Sequence, residues 1–153
     1  MNRVSPIAML LAAWLGAGTL FAAVVAPAAF AVLPSRTLAG ALVGRVLPVL
    51  FAAGIIIALV SLWLDRSSAE RPARVRRFAL VLIAASCAVA QFGVGPRIER
   101  VRRQIGGPIE QLSPDDARRV AFGRLHAASV GWLGLAMVAA ATTLVLVYRR
   151  KGT

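Results

Sequence analysis

The sequence is poor in the groups that usually do chemistry. Among 153 residues there are one histidine, one cysteine, one lysine and six carboxylate side chains. One cysteine excludes an intrachain disulfide. Cys87 falls in the middle of an apolar run, where it is expected to pack as a small hydrophobic group. A copper or zinc centre needs several His, Cys or carboxylate ligands. His126, a distant Cys87, and Met9 and Met137 without Met-x-x-Met clustering do not build one, so no metal and no cofactor are predicted. The few acids sit at the ends of apolar stretches, which leaves no Ser–His–Asp arrangement. There is no P-loop, and Gly16-x-Gly18 and Gly93-x-Gly95 lie inside apolar runs rather than in dinucleotide-binding turns. Strict alternation of polar and apolar residues is also missing, which excludes an outer-membrane barrel.

What the chain does have is long stretches without charge. It is 59% hydrophobic with a mean hydropathy of +0.76. Charge-free runs cover residues 4–35, 46–64, 78–96 and 125–148, of 32, 19, 19 and 24 residues. At about 1.5 Å per residue, ~20 helical residues cross a ~30 Å hydrocarbon core. Helices satisfy their own backbone in lipid, whereas a lone strand does not. The fold class is therefore an all-α integral membrane four-helix bundle, one domain over 1–153. Its helices are predicted at 6–33, 36–64, 74–105 and 114–148, with the second, third and fourth extended beyond the bilayer on one side. Arg3, the first run and Ala29-Phe30-Ala31 resemble a cleavable signal. The run is about twice the usual secretory core of roughly 7–15 residues, so a retained first helix is expected.

The net charge of +12 is carried by seventeen arginines and one lysine, all outside the charge-free runs. This is the pattern of membrane flanks meeting anionic headgroups, and no separate basic fold exists to bind nucleic acid. Expected partners are a lipid bilayer including anionic lipids, and a membrane-protein partner or a second copy. The arginine and alanine excess points to a GC-rich bacterial genome, and hence to a multi-pass protein of the inner membrane. The two sides of the bundle carry nine basic residues each. The side opposite the termini shares its arginines with four acids, which tips the expectation toward cytoplasmic termini.

Local signals refine the helices. Ser5 and Pro6 suit a first helical turn, and Ser35 suits the N-cap of the second helix. A stripe of small residues in helix 1 (Ala12, Gly16, Thr19, Ala22, Ala23 and Ala26) and the Gly40-x-x-x-Gly44 pair in helix 2 predict faces for close helix packing. Pro27 and Pro48 predict bends, each freeing the carbonyl four residues earlier. Pro96 is expected to end the lipid-embedded part of helix 3. Beyond it, Ile98, Val101 and Ile105 recur at helical spacing among arginines, with Glu99 and Arg103 placed to pair. Gly106-Gly107-Pro108 breaks that helix. Ser113, Pro114 and the following acids read as the start of helix 4. The basic segment 65–77 is expected to hold its side of the bundle in the cytoplasm.

If helices 3 and 4 are antiparallel neighbours, the end of one meets the start of the other. His126 and Ser129, at i and i+3 with Arg124 beside them, then approach Gln91, Arg97 and Glu99. Arg45 and Ser35 lie on the same side of the membrane. Ionisable residues at a membrane edge are a default site hypothesis. Gln91 is expected to be buried between helices, because lipid would leave its amide unpaired.

Several stretches resemble a known family. They are Gly95-Pro96-Arg97-Ile98-Glu99, Gly107-Pro108-Ile109, Phe122-Gly123-Arg124-Leu125-His126-Ala127-Ala128-Ser129, Ala26-Pro27-Ala28-Ala29-Phe30 with Leu33-Pro34, and Ala39-Gly40 with Val43-Gly44-Arg45 before Pro48. Together they look like the four-span family of transmembrane protein 205, known in bacteria as domain of unknown function 4149. The resemblance implies the four-span architecture and carries no settled activity. Leu133 stands where many members carry an asparagine. A remoter likeness, to a superfamily with copper-resistance protein D and a membrane protoporphyrinogen oxidase, implies a haem or porphyrin role as the alternative; this chain has no second histidine to complete a bis-histidine site. The functional expectation is a non-enzymatic multi-pass membrane protein that binds or conducts a small ligand, or docks a partner, through a polar cluster near His126.

Overall fold

The computed structural model describes residues 5–66 and 71–149, with side chains described from Ala73 onward in the second stretch and through Tyr148. It contains four long apolar helices. Helix α1 spans Pro6–Val32 and α2 spans Arg36–Asp65. Helix α3 runs without a break over residues 71–105, and α4 spans Ala117–Arg149. A single 3-10 turn, Ile109–Gln111, interrupts the connection before α4. Each helix packs against the next, and α4 returns to α1, so the four form an antiparallel ring. The register between α2 and α3 is regular: Asp65 meets Arg76, Gly54 meets Cys87, and Gly40 meets Arg102.

The outward faces confirm the environment the helices are made for. Phe92, Phe78 and Val49 are about 70% exposed, at 72%, 69% and 68%, and every helix presents large apolar side chains outward. A water-soluble monomer does not tolerate that much apolar surface. The chain is a multi-pass membrane protein with an all-helical fold.

The interior is not organised as the small-residue pattern predicted. Ala12, Gly16, Thr19, Ala22 and Ala23 point outward, and a methyl group added at Gly16 would meet nothing within 4 Å. The inward face of α1 is instead Ile7, Ala8, Leu11, Trp14 and Phe21. The small residues that allow close approach are Ala8, Gly18 and Ala29 on α1, Gly54 and Ala58 on α2, Ala79 on α3, and Ala136, Ala139 and Ala140 on α4. Trp14 fills the centre, and its Nε1–H donates to the Leu50 carbonyl of α2 at 2.9 Å. Cys87 is buried beside it.

Two prolines are absorbed by the same device. Residues Phe21–Val25 and Val89–Val94 form π-helical turns immediately upstream of Pro27 and Pro96. In each, the residue before the proline donates five residues back, Ala26 to Phe21 and Gly95 to Ala90. The wider turn makes room for a ring that would otherwise strike the carbonyl four residues earlier. Pro96 therefore does not end α3, which continues to Ile105. Helix α2 likewise runs unbroken through Pro48.

Caps set the helix ends at the far end from the termini. The Ser35 hydroxyl accepts from the Leu38 amide at 3.2 Å, as its N-cap role predicts. Gly106 closes α3 in the left-handed region at φ 66°, where glycine carries no steric cost. Ser113 does not start α4. Its carbonyl accepts from the Asp116 amide, closing a turn, and the cap is Asp116, whose Oδ1 accepts from the Arg118 amide at 2.8 Å. Pro114 thus sits in the turn rather than in the helix. Ser5 makes no side-chain cap either.

The Arg118 guanidinium hydrogen-bonds the same carboxylate and, with its backbone amide, pulls the Asp116 pKa down to about 2. A folded pKa below the ordinary value of 3.8 means the cap contributes above the unfolded pKa and is lost as pH falls through about 2. We expect Asp116→Ala to speed amide exchange at Arg118 and the first turn of α4 while leaving exchange in the centre of α4 unchanged. Exchange measured by mass spectrometry in detergent checks this, and uniform acceleration along α4 would contradict a local cap.

Candidate functional site

The ends of the four helices opposite the chain termini line an open cavity of about 400 Å³. Its walls follow from helical spacing. Arg36, Gly40, Val43, Gly44 and Leu47 form one face of α2, and Arg119, Phe122, Gly123, His126 and Ser129 form one face of α4. Ile98, Glu99 and Arg102 of α3 stand between them. Phe30 of α1 and Gly107, Ile109 and Glu110 of the connection complete its lining.

The Gly40-x-x-x-Gly44 face has an unpredicted neighbour. Methyl groups added at Gly40 and Gly44 would both lie 3.5 Å from the Arg102 guanidinium, whose Nη2 donates to the Gly40 carbonyl at 3.2 Å. The two glycines therefore make room for a cation rather than for a closely packed apolar helix. Arg102 also takes Glu99 at 3.4 Å, so the expected Glu99–Arg103 pair is replaced by an i, i+3 pair. The Thr37 hydroxyl donates to Glu110 at 3.3 Å, tying α2 to the connection. Arg119 donates to the Leu112 carbonyl at 2.7 Å. Arg36 makes no hydrogen bond or ion pair among the described residues.

Of the sequence-predicted cluster, the cavity brings together Glu99, His126 and Ser129. His126 is exposed to it and stacks on Phe122, with the rings nearly parallel at 4° and their centroids 6.4 Å apart. Ser129 is buried at its inner end. Arg45, Arg97 and Arg124 are exposed and do not line it; their side chains leave the helices on other faces. Gln91 also stays outside, half-buried in the π turn of α3, and makes no hydrogen bond among the described residues. The residues missed by sequence reasoning are Arg36, Thr37, Arg102, Glu110 and Arg119. The fourfold spacing of Arg36, Gly40 and Gly44 was a usable signal for the first of them.

Among the described residues no group of three His, Cys, Asp or Glu side chains is placed to hold a metal ion. A haem held between two histidines does not fit this donor set, because His126 is the chain's one imidazole.

The family profile described as "Domain of unknown function (DUF4149)" matches residues 9–106, which is α1 to the end of α3. The chain belongs to that family. The cavity straddles the DUF4149 match: its α1, α2 and α3 walls lie within the matched residues, and its α4 wall lies beyond them. Over 61 residues the chain is 48% identical to an uncharacterised protein of Aquifex aeolicus (strain VF5), a stretch covering 40% of this chain and 46% of that relative. The match thus spans under half of the curated relative's length. No solved structure matches this DUF4149 protein.

The opposite end of the bundle holds a second polar group, again unpredicted. Asp65 and Arg76 are both buried, at 2% and 1% exposure, and pair through Asp65 Oδ1, to which Arg76 Nε donates at 2.9 Å. Arg77 approaches Asp65 Oδ2 at 3.4 Å and donates to the Asp65 and Arg66 carbonyls at 2.8 and 3.0 Å. This joins the end of α2 to the start of α3. Nearby, the Arg66 guanidinium lies 4.6 Å from the centre of the exposed Trp63 ring, which suits a membrane–water boundary.

Proposed function

We propose that this protein binds a small amphipathic molecule in the cavity between α2, α3 and α4. The observation that carries the reading is an open cavity of about 400 Å³ lined by residues of all four helices, with largely apolar walls and a few convergent polar side chains. Ligand sites have that composition, and sites between bundle helices are common. His126 and Ser129 stand at its inner part and give the bound molecule polar contacts. The Phe122–Ser129 stretch, with its likeness to transmembrane protein 205, supports extending the relationship to that wider group. A bacterial inner-membrane location is supported by the helical spans and by a bacterial relative. The acids mixed among the arginines of the cavity end support cytoplasmic termini on the opposite side.

Gly123 offers a clean test, because it lines the cavity and a methyl group added there would meet nothing within 4 Å. We expect Gly123→Leu to fold normally and to lose the small molecules that co-purify with the wild-type protein in mild detergent. Native mass spectrometry reads the difference. Identical co-purifying species in both proteins would reject the cavity as the binding site.

A further inference from the structure

The arginines of the cavity are gathered at one level. Arg36 and Thr37 lie in the first turn of α2, Arg119 in the first turn of α4, and Arg102 in the last turn of α3. In an antiparallel bundle these three helix ends share one level, the outer one. Val43 and Leu47 on α2 and Phe122 on α4 lie one to three turns deeper. The cavity therefore runs from a charged mouth to a largely apolar interior, where His126 and Ser129 add polar side chains. At the mouth, three arginines face two glutamates, and the two glutamates already have partners in Arg102 and Thr37.

Resting on the reading of this cavity as a ligand site, we propose that its ligand is a single-chain amphiphile with an oxyanion head, phosphate or carboxylate, held at the mouth by Arg36, Arg102 and Arg119, with its apolar chain lying inward. Guanidinium groups match phosphate and carboxylate oxygens with paired donors. Arg36 has its donors unengaged among the described residues. Arg102 donates to the Gly40 carbonyl at 3.2 Å and makes a long contact of 3.4 Å to Glu99, and Arg119 donates to the Leu112 carbonyl at 2.7 Å through a single nitrogen, so each fork keeps further N–H groups for an oxyanion. The first turn of α2 contains no acid and adds its amide dipoles on the same side. An uncharged head would leave the excess of arginine unmatched. A free small anion would leave the apolar interior filled by water.

The test uses the full chain in non-ionic detergent with three probes: lysophosphatidic acid, the uncharged monoacylglycerol of the same chain length, and inorganic phosphate. Binding is read by native mass spectrometry titration. Lysophosphatidic acid is expected to bind at least about tenfold more tightly than monoacylglycerol. Arg36→Gln and Arg119→Gln are each expected to weaken it by about tenfold, with monoacylglycerol unchanged. Arg124→Gln, outside the cavity, is expected to leave all three unchanged. Equal binding of the two amphiphiles, or insensitivity to both arginine variants, overturns the oxyanion head while leaving the cavity reading intact. Phosphate binding as tightly as lysophosphatidic acid overturns the amphiphile and leaves a soluble anion. If no probe binds and Gly123→Leu changes nothing that co-purifies, the cavity reading itself fails.

Discussion

Asp65→Leu is expected to cost the folded bundle about 3–5 kcal/mol, the range for removing one partner of a buried ion pair. The carboxylate is 2% exposed and is the acid shared by Arg76 and Arg77, so its loss strands a buried guanidinium inside the protein. Arg76→Met should cost less, because Arg77 remains beside Asp65 at 3.4 Å to offset its charge. The double variant Asp65→Leu/Arg76→Met should be more stable than Asp65→Leu alone, since neither charge is then left buried without its counterpart. Reversible unfolding in mixed micelles measures all three. Strict additivity of the two single changes would show that the side chains are not coupled, and the ranking would then have no physical basis.

Gly54→Ala should produce the second large loss, from the middle of the bundle. A methyl group there would lie 2.8 Å from Cys87 Sγ and 2.8 Å from Trp14 Cζ2. Neither neighbour can yield easily. Cys87 is wholly buried, and Trp14 is held by its hydrogen bond to the Leu50 carbonyl, one turn before Gly54 on the same helix. Overpacking of this kind costs about 1–3 kcal/mol. It has a local reporter as well. Cys87 should be inert to maleimide in the wild-type protein and labelled in Gly54→Ala, where α1 and α3 are pushed off α2. Adding Cys87→Ala to Gly54→Ala removes one of the two overlaps and should recover part of the stability. A Gly54→Ala protein with wild-type unfolding and a still unreactive Cys87 would show that the three helices close less tightly than described.

These two sites were invisible in the sequence for different reasons. In lipid every helix face is apolar, so the period that marks a buried face in a soluble helix is absent. The inward set of α1, Leu11, Trp14 and Phe21, is no more hydrophobic than the outward Val24 and Leu20. Small residues then become the available cue, and in α1 the stripe at Ala12, Gly16, Thr19, Ala22 and Ala23 points outward while Ala8, Gly18 and Ala29 face in. Arg76 stands in a basic stretch with Arg74 and Arg77, where it reads as one more flanking charge; its burial depends on the register that puts it opposite Asp65 across the α2–α3 connection. What was legible came from strong, local chemistry. Charge-free runs of sufficient length mark the four helices, and Ser35 marks the start of α2. The antiparallel order that short connections impose is enough to put Glu99 near His126 and Ser129. It does not say which arginines turn inward. The α4 start was misread because Ser113-Pro114 carries start signals that suit a turn equally well.

The two π turns carry a consequence for how this chain tolerates changes in length. Each holds one residue more than an α-helical turn would, and one residue of α-helix is about 100° of rotation. Both lie just before the segments that reach the cavity, Phe30 in α1 and Ile98, Glu99 and Arg102 in α3. Deleting outward-facing Phe92 would remove no buried side chain, and relaxation of the turn to α would take up the lost residue, so the segments on either side keep their phase. Arg102 should stay beside Gly40 while Arg76, Leu80 and Cys87 keep their places, with the strain falling on the Pro96 ring, which loses its wider turn. Each π turn is thus one residue of slack in its helix: a single-residue loss at 21–25 or 89–94 is taken up locally, whereas a loss elsewhere in α1 or α3 turns the cavity end by about 100° against the core.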